Sequence, residues 1–267
     1  MKKPIRIGVR LIRVLALFLF AYLDFNFRLR LFGRASSIRA RADWLQTWSR
    51  RFLGILRGSV TFRGNPPSRG ILVSNHLSYI DVLVLGSLQP LVLVSKSEVR
   101  SWPVIGPLTA CAGTLYIHRQ SRTDVARLNE EMTGVVNSGV IVALFPEGTS
   151  SDGSQVLPFR SSLFGPAEEH HWPVTPAWIH YTLKEGSVAD EVCYWRDMTF
   201  FPHLLNLLSK KSIEAFVSFG TPIEGKMDRK EMARELHSRV CALKEAHLSS
   251  YSSVATSRRN PPGIRQA

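Results

Sequence analysis

The sequence predicts an α/β fold: a mixed, mostly parallel sheet flanked by helices, behind an N-terminal helical arm. Three observations lead there. Short apolar runs at residues 71–74, 140–145, 174–180 and 213–219 read as buried strands. The segments between them carry apolar residues at helical spacing. A chain of 267 residues, 45% of them hydrophobic, is long enough to bury one good core.

The arm comes first and is basic. The chain has a formal net charge of +13, from 34 basic and 21 acidic residues. Residues 1–60 hold 13 basic and 2 acidic side chains, whereas residues 61–257 hold 18 and 19. A near-neutral body argues against a nucleic-acid partner, because binding a phosphate backbone needs a cationic face on the folded domain. Residues 14–23 are an unbroken apolar run that includes Tyr22, flanked by Lys2, Lys3, Arg6, Arg10 and Arg13 and then by Arg28, Arg30 and Arg34. Such a run is about half of what a bilayer span needs, so it predicts a helix lying in the membrane interface. No small-residue cleavage site follows Leu23, which argues against a secretory signal. Trp44, Trp48, Phe52 and Leu56 recur every four residues, with Arg50, Arg51 and Arg57 around them. This amphipathic stripe suits an anionic bilayer surface, or else it packs on the body. Residues 1–58 are therefore read as a basic, membrane-associated arm.

The candidate chemistry starts after the strand at 71–74. Asn75 and His76 fall on the turn between that strand and a helix predicted over 79–88, the sheet edge where α/β folds bind ligands. Asp81, about one turn into the helix, is within reach of one imidazole nitrogen. A carboxylate there fixes the tautomer and leaves the other nitrogen free to take a proton from an alcohol. An alcohol is a poor nucleophile near neutral pH, so O-acylation requires such a base. Ser78-x-x-Asp81 reads equally well as a capping box, and a histidine in a turn is commonly a polar surface residue.

Later elements follow in order. Val125, Leu128, Met132 and Val135 draw a helix over 124–136, and the strand at 140–145 runs into the turn Phe145-Pro-Glu-Gly-Thr149. Pro173 and Pro176 shape the entry to the strand at 174–180. Residues 198–208, with Phe200, Phe201, Leu204, Leu205, Leu207 and Leu208, carry more apolar surface than one helix stripe needs; core packing, an acyl-chain wall and a membrane contact all fit. Asp228-x-x-Glu231 opens a helix whose face holds Met232, Leu236, Val240 and Leu243. Residues 59–248 are read as the catalytic domain, and 249–267, rich in Ser, Arg and Pro, as a disordered tail. Cys111, Cys193 and Cys241 are odd in number and far apart, which suggests neither a zinc site nor a disulfide framework.

Taken together, four blocks resemble a known family. Asn75-His76-x4-Asp81, Gly113-Thr-Leu-Tyr-Ile-His-Arg119, Phe145-Pro-Glu-Gly-Thr149 and Trp172-Pro-Val-Thr-Pro176 are similar, in order, to the signature blocks of the 1-acylglycerol-3-phosphate acyltransferase (PlsC-like) family of glycerolipid acyltransferases. Lys96, ahead of Trp102-Pro-Val-Ile-Gly106, resembles the region that links the first two. His118, Tyr116 and Ser161-Ser162 depart from the common pattern. The resemblance implies that His76 is the catalytic base and Asp81 its orienting acid. It associates Arg119, Glu147, Gly148 and Thr149 with the acceptor's glycerol phosphate.

An arginine suits a phosphate through its planar fork, although Arg119 also fits a solvated cluster with His118 and Arg122. Glu147 cannot attract a phosphate, so it either holds Arg119 or accepts from a substrate hydroxyl. Gly148 lets the backbone approach closely, and its N–H and that of Thr149 are candidate donors. Lys96 reads as a phosphate ligand or a surface lysine. The implied reaction moves a fatty acyl group from acyl-CoA or acyl carrier protein to 1-acylglycerol 3-phosphate, giving phosphatidate in a cytoplasm-facing membrane site, without metal or other cofactor. Another lysolipid acceptor, such as lyso-ornithine lipid or a lysophospholipid, is the alternative; a non-catalytic membrane-binding module is the remaining one.

Overall fold

The computed structural model describes residues 3–117 and 122–259. Helices α1 (Lys3–Asp24) and α2 (Ile38–Leu56) open the chain, and a π-helical stretch, Phe25–Arg30, extends the first. Strands β1 (Gly58–Arg63) and β2 (Ile71–Ser74) follow, then α3 (Asp81–Leu88), β3 (Leu91–Lys96), α4 (Ile105–Cys111), β4 (Leu115–Ile117), α5 (Arg122–Asn137) and β5 (Ile141–Leu144). The remainder is α6 (Gly165–His170), β6 (Val174–Thr182), α7 (Val188–Glu191), α8 (Phe200–Ser209), β7 (Ile213–Phe219) and α9 (Arg229–Arg259). The strands form one sheet in the order β1-β7-β6-β2-β5-β3-β4, parallel throughout except between β6 and β7. The mixed, mostly parallel sheet expected from the sequence is present.

Strand alternation divides the core into two layers. Leu72, Leu91, Leu93, Ile141, Ala143 and Ile179 join residues of α1, α2, α3 and α8 on one face. Ile71, Val73, Val92, Val142, Leu144 and Val174 join residues of α5 and α9 on the other. The central strands β2 and β5 are buried on both faces, which is why their sequences are apolar without alternation.

Four expectations are corrected. Helix α3 starts at Asp81 rather than Tyr79, so the acid opens the helix instead of lying one turn inside it. Trp44, Trp48, Phe52 and Leu56 are all buried, so their stripe packs inside the protein and makes no membrane contact. The Trp44 indole donates to the Ala21 carbonyl at 3.2 Å and that of Trp48 to Asp24 Oδ2 at 3.0 Å, which fastens α2 to α1. Both helices share the core of the sheet, so the boundary drawn at residue 58 falls within packed structure. Finally, α9 stays helical past residue 249 to Arg259, because no Gly or Pro interrupts the chain between Arg229 and Pro261.

One arginine of the arm is internal. The Arg10 guanidinium is buried and donates to the carbonyls of Leu208 at 3.0 Å, Leu56 at 3.2 Å and Lys211 at 3.3 Å, and to that of Lys210. These carbonyls end α2 and α8, where helices leave their last C=O groups unpaired and carry partial negative charge. Arg10→Met keeps the aliphatic stem and removes the donors. Urea unfolding should show a loss of about 2–4 kcal/mol, whereas a change within about 0.5 kcal/mol, as at a solvated position, would mean that the clamp contributes nothing.

Candidate active site

Strand register brings two loops together. Strand β2 lies parallel between β5 and β6, with Val73 opposite Leu144 and Ser74 opposite Ala177. The carboxyl ends of β2 and β5 therefore open at one edge of the sheet, where such folds place ligands. The loops at 75–80 and 145–150 are neighbours there. The Ser151 N–H donates to the His76 carbonyl at 2.9 Å, and the His76 ring stacks on Phe145 with centroids 4.2 Å apart.

His76 Nδ1 lies 2.7 Å from Asp81 Oδ2. The same oxygen accepts the backbone N–H groups of Leu77 at 2.6 Å and Ser78 at 2.9 Å, while Oδ1 accepts the Tyr181 hydroxyl at 2.6 Å. Asp81 is 0% exposed. Both oxygens of Asp81 already accept, from the Leu77 and Ser78 N–H groups and the Tyr181 hydroxyl, so Asp81 is the acceptor toward His76 as well, with Nδ1 donating and Nε2 left as an acceptor. The imidazole is partly open to solvent, with 22% of its side chain exposed. The capping box is only half made. Asp81 reaches back to the Ser78 N–H, but the Ser78 hydroxyl is buried without a partner.

Asn75 sets the entry to this loop. Its side-chain amide donates to the Ile179 carbonyl at 3.0 Å, and its oxygen accepts the Ile179 N–H at 2.7 Å. It thereby pairs with β6 just past the end of β2, as a further strand residue would. On the far side of the loop, the Tyr194 N–H donates to the Leu77 carbonyl at 2.8 Å, and the Ser150 hydroxyl donates to the Tyr194 carbonyl. Tyr79 donates to His203 Nδ1 at 3.0 Å, with His203 Nε2 donating onward to the Cys193 carbonyl at 3.0 Å. The Asp81 and Glu147 loops are thus held against each other and against α8.

Glu147 is 4% exposed, and neither of its carboxyl oxygens makes a hydrogen bond. Burial, as the largest cause, pushes its carboxyl up to about 8; the nearby amides of Leu157 and His76 pull the other way without closing a hydrogen bond, and the Asp81 charge raises it further. Gly148 has φ +74, which closes the turn, and its N–H donates to the Phe145 carbonyl at 3.1 Å. The outward donor role expected of that N–H is thus used within the turn. Thr149 is exposed beside it.

Lys96 is the last residue of β3, at the same edge with β5 between it and β2. Arg119 lies outside the described residues. The sequence reading missed Tyr181, whose only signal was its place on the Ala177–Ile179 face of β6. Among the described residues, no group of three or more His, Cys, Asp or Glu side chains is placed to hold a metal ion.

Comparison with known proteins identifies the family. The acyltransferase family model matches residues 59–180, which include both loops. The chain is 34% identical over 192 residues to the lyso-ornithine lipid O-acyltransferase of Brucella abortus (strain 2308), covering 67% of this chain and 72% of that protein. It is 38% identical over 175 residues to its counterpart in Rhodobacter capsulatus, covering 63% and 62%. It is also 32% identical over 139 residues to the 1-acyl-sn-glycerol-3-phosphate acyltransferase of Neisseria gonorrhoeae, covering 49% and 54%. The crystal structure of the Thermotoga maritima 1-acyl-sn-glycerophosphate acyltransferase PlsC superposes with a TM-score of 0.59 at 20% identity, covering 89% of this chain and 98% of that one, a likeness of fold. With the His76–Asp81 pair at the edge where the family model matches, the chain belongs to the acyltransferase family of lysolipid O-acyltransferases.

Proposed function

We propose that this chain transfers a fatty acyl group from acyl-CoA or acyl carrier protein to the free hydroxyl of a lysolipid, with His76 as general base and Asp81 orienting it. The observation that carries this reading is the 2.7 Å bond between His76 Nδ1 and Asp81, which leaves Nε2 as an acceptor at the open edge. Nε2 takes the hydroxyl proton as the oxygen attacks the thioester carbonyl. The new C–O bond forms, the C–S bond breaks, and the proton passes from His76 to the departing thiolate. Arg119, Lys96 and Thr149 are assigned to the acceptor's polar head.

The acceptor we favour is lyso-ornithine lipid, ahead of the 1-acylglycerol 3-phosphate that the signature blocks suggest. The support is that relatives bearing the first name match over more of the chain. Purified protein in mixed micelles, offered either labelled lysolipid with either thioester, tests both points. Transfer to lyso-ornithine lipid should fall by about 10²- to 10⁴-fold in His76→Ala. Transfer only to 1-acylglycerol 3-phosphate would reverse the order of acceptors, and full activity in His76→Ala would remove the base.

Glu147 is assigned the role of a neutral carboxyl behind the site, its two oxygens buried away from the open edge. Its carboxyl, ordinarily near 4.5, is pushed up to about 8 in the fold. Below 4.5 both folded and unfolded states hold the proton; between 4.5 and about 8 only the folded state does, so stability falls as pH rises through that window. Glu147→Gln should remove most of this decline in denaturant titrations at several pH values. An unchanged slope would place the proton elsewhere.

The arm is assigned to the membrane interface, with the active site facing the cytoplasm. No helix among the described residues is long and apolar enough to cross a membrane. Instead, Ile12, Leu15, Leu19 and Phe20 are exposed along α1, and Phe27, Leu31 and Phe32 just beyond it are 64%, 72% and 73% exposed among Arg28, Arg30 and Arg34. Apolar anchors set among arginines suit an anionic bilayer. Replacing Phe27, Leu31 and Phe32 together by Ser should weaken binding to anionic vesicles by at least about tenfold. Unaltered vesicle binding would move the contact to another surface.

A further inference from the structure

The Asp81 carboxylate has two unlike sides. Three donors, His76 Nδ1 and the N–H groups of Leu77 and Ser78, converge on Oδ2, and all come from the loop that Asp81 itself closes. Oδ1 has the Tyr181 hydroxyl at 2.6 Å, from a strand a hundred residues away. The register explains the reach. Ser74 is opposite Ala177, so β6 runs on past the end of β2, and Ile179 and Tyr181 follow Ala177 on the same face, beside the loop. Tyr181 is 1% exposed, so it does not touch substrate.

We propose that Tyr181 is a positioning residue of the acyl-transfer site, holding the Asp81 carboxylate in the one orientation that fixes the His76 tautomer. The carboxyl torsion of an aspartate is intrinsically broad. A loop whose donors all lie on Oδ2 does not by itself stop the group from turning, whereas a donor on Oδ1 from the sheet does. The same bond neutralises part of a charge that has no water around it. Burial first, then the Asp81 charge, keeps the phenol protonated well beyond its usual range, so it donates throughout the working pH. The other titratable groups facing the pair are Cys193, from the segment after α7, and Glu147, from the loop after β5, with Lys244 of α9 acting on Glu147 in turn.

This inference rests on His76 acting as the base, and the test separates the two. Tyr181→Phe removes one oxygen and keeps the ring. Once thermal unfolding has shown the variant to be folded, kcat should fall by roughly tenfold with KM little changed. The acid limb of kcat/KM should move to higher pH, because a carboxylate stripped of a donor draws a proton onto the Asp81–His76 pair more readily. Imidazole ¹⁵N resonances should show a smaller Nδ1–H population for His76, a readout that does not depend on acyl transfer.

Thr175→Val is the control. Thr175 lies in the same strand with a buried, unpartnered hydroxyl, so its loss should move none of these quantities. A folded Tyr181→Phe with unchanged pH limb and tautomer would overturn the proposal, as would Thr175→Val shifting them equally. Activity surviving in His76→Ala would sink the base reading, and the ¹⁵N measurement would still decide Tyr181.

Discussion

A carboxylate without solvent sits at the centre of this molecule, and its charge sets what the surrounding chain must do. Moving an ionised carboxylate from water into a protein interior without partners is costly enough that the group ordinarily takes up a proton. Asp81 is not left without partners: its oxygens have four, two from loop backbone, one from His76 and one from Tyr181. Backbone N–H groups can point at it only because the chain turns sharply between β2 and α3. Tyr181 can reach it only because β6 is hydrogen-bonded beside β2 and outlasts it. Strand order thus becomes a condition on how one side chain is held.

A second carboxyl shows the opposite regime a short distance away. Glu147 is as buried as its neighbours but receives no hydrogen bond, and its proton is correspondingly hard to remove. Two acids thus lie in one site, one with four partners on its oxygens and one that closes no hydrogen bond, so their environments differ although the side chains share one chemistry. What separates them is where each falls after its strand. Asp81 meets the N–H groups of Leu77 and Ser78 in the loop that leads into α3, whereas Glu147 lies in a turn whose Gly148 N–H is already directed to Phe145.

Much of this was legible in the sequence, for reasons that also explain what was not. The strand over residues 213–219 and the helix opened by Asp228 follow from local rules, and the structure reproduces both, with Asp228 Oδ1 accepting the N–H groups of Lys230 and Glu231. His76 and Asp81 could be paired because five residues across a turn is a local distance. Tyr181 could not, since its partner is a hundred residues away and its place on the Ala177–Ile179 face of β6 does not say what it meets. The Trp44–Leu56 stripe shows the limit of periodicity. Helical spacing says which residues share a face but not what covers it, and here the cover is α1, the sheet and α3 rather than lipid.

The arm turns the usual order of an amphipathic helix inside out. Along α1 the stripe through Arg10, Val14 and Ala21 faces inward, while Ile5, Val9, Ile12 and Leu19 face out. In the sequence Arg10 is one more cation in a basic segment, indistinguishable from Arg13; in the fold it bonds the carbonyl ends of α2 and α8, so it binds the arm to the body through backbone rather than through a counter-charge. Val14 and Ala21 of α1 join the core, with Leu11, Leu17 and Phe18 packed against it, while Ile5, Val9, Ile12 and Leu19 remain as an exposed apolar stripe. The attachment also reaches the site: because α1 shares a core with α3, whose first residue is Asp81, the exposed apolar surface of the arm and the carboxyl that contacts His76 belong to one packed unit.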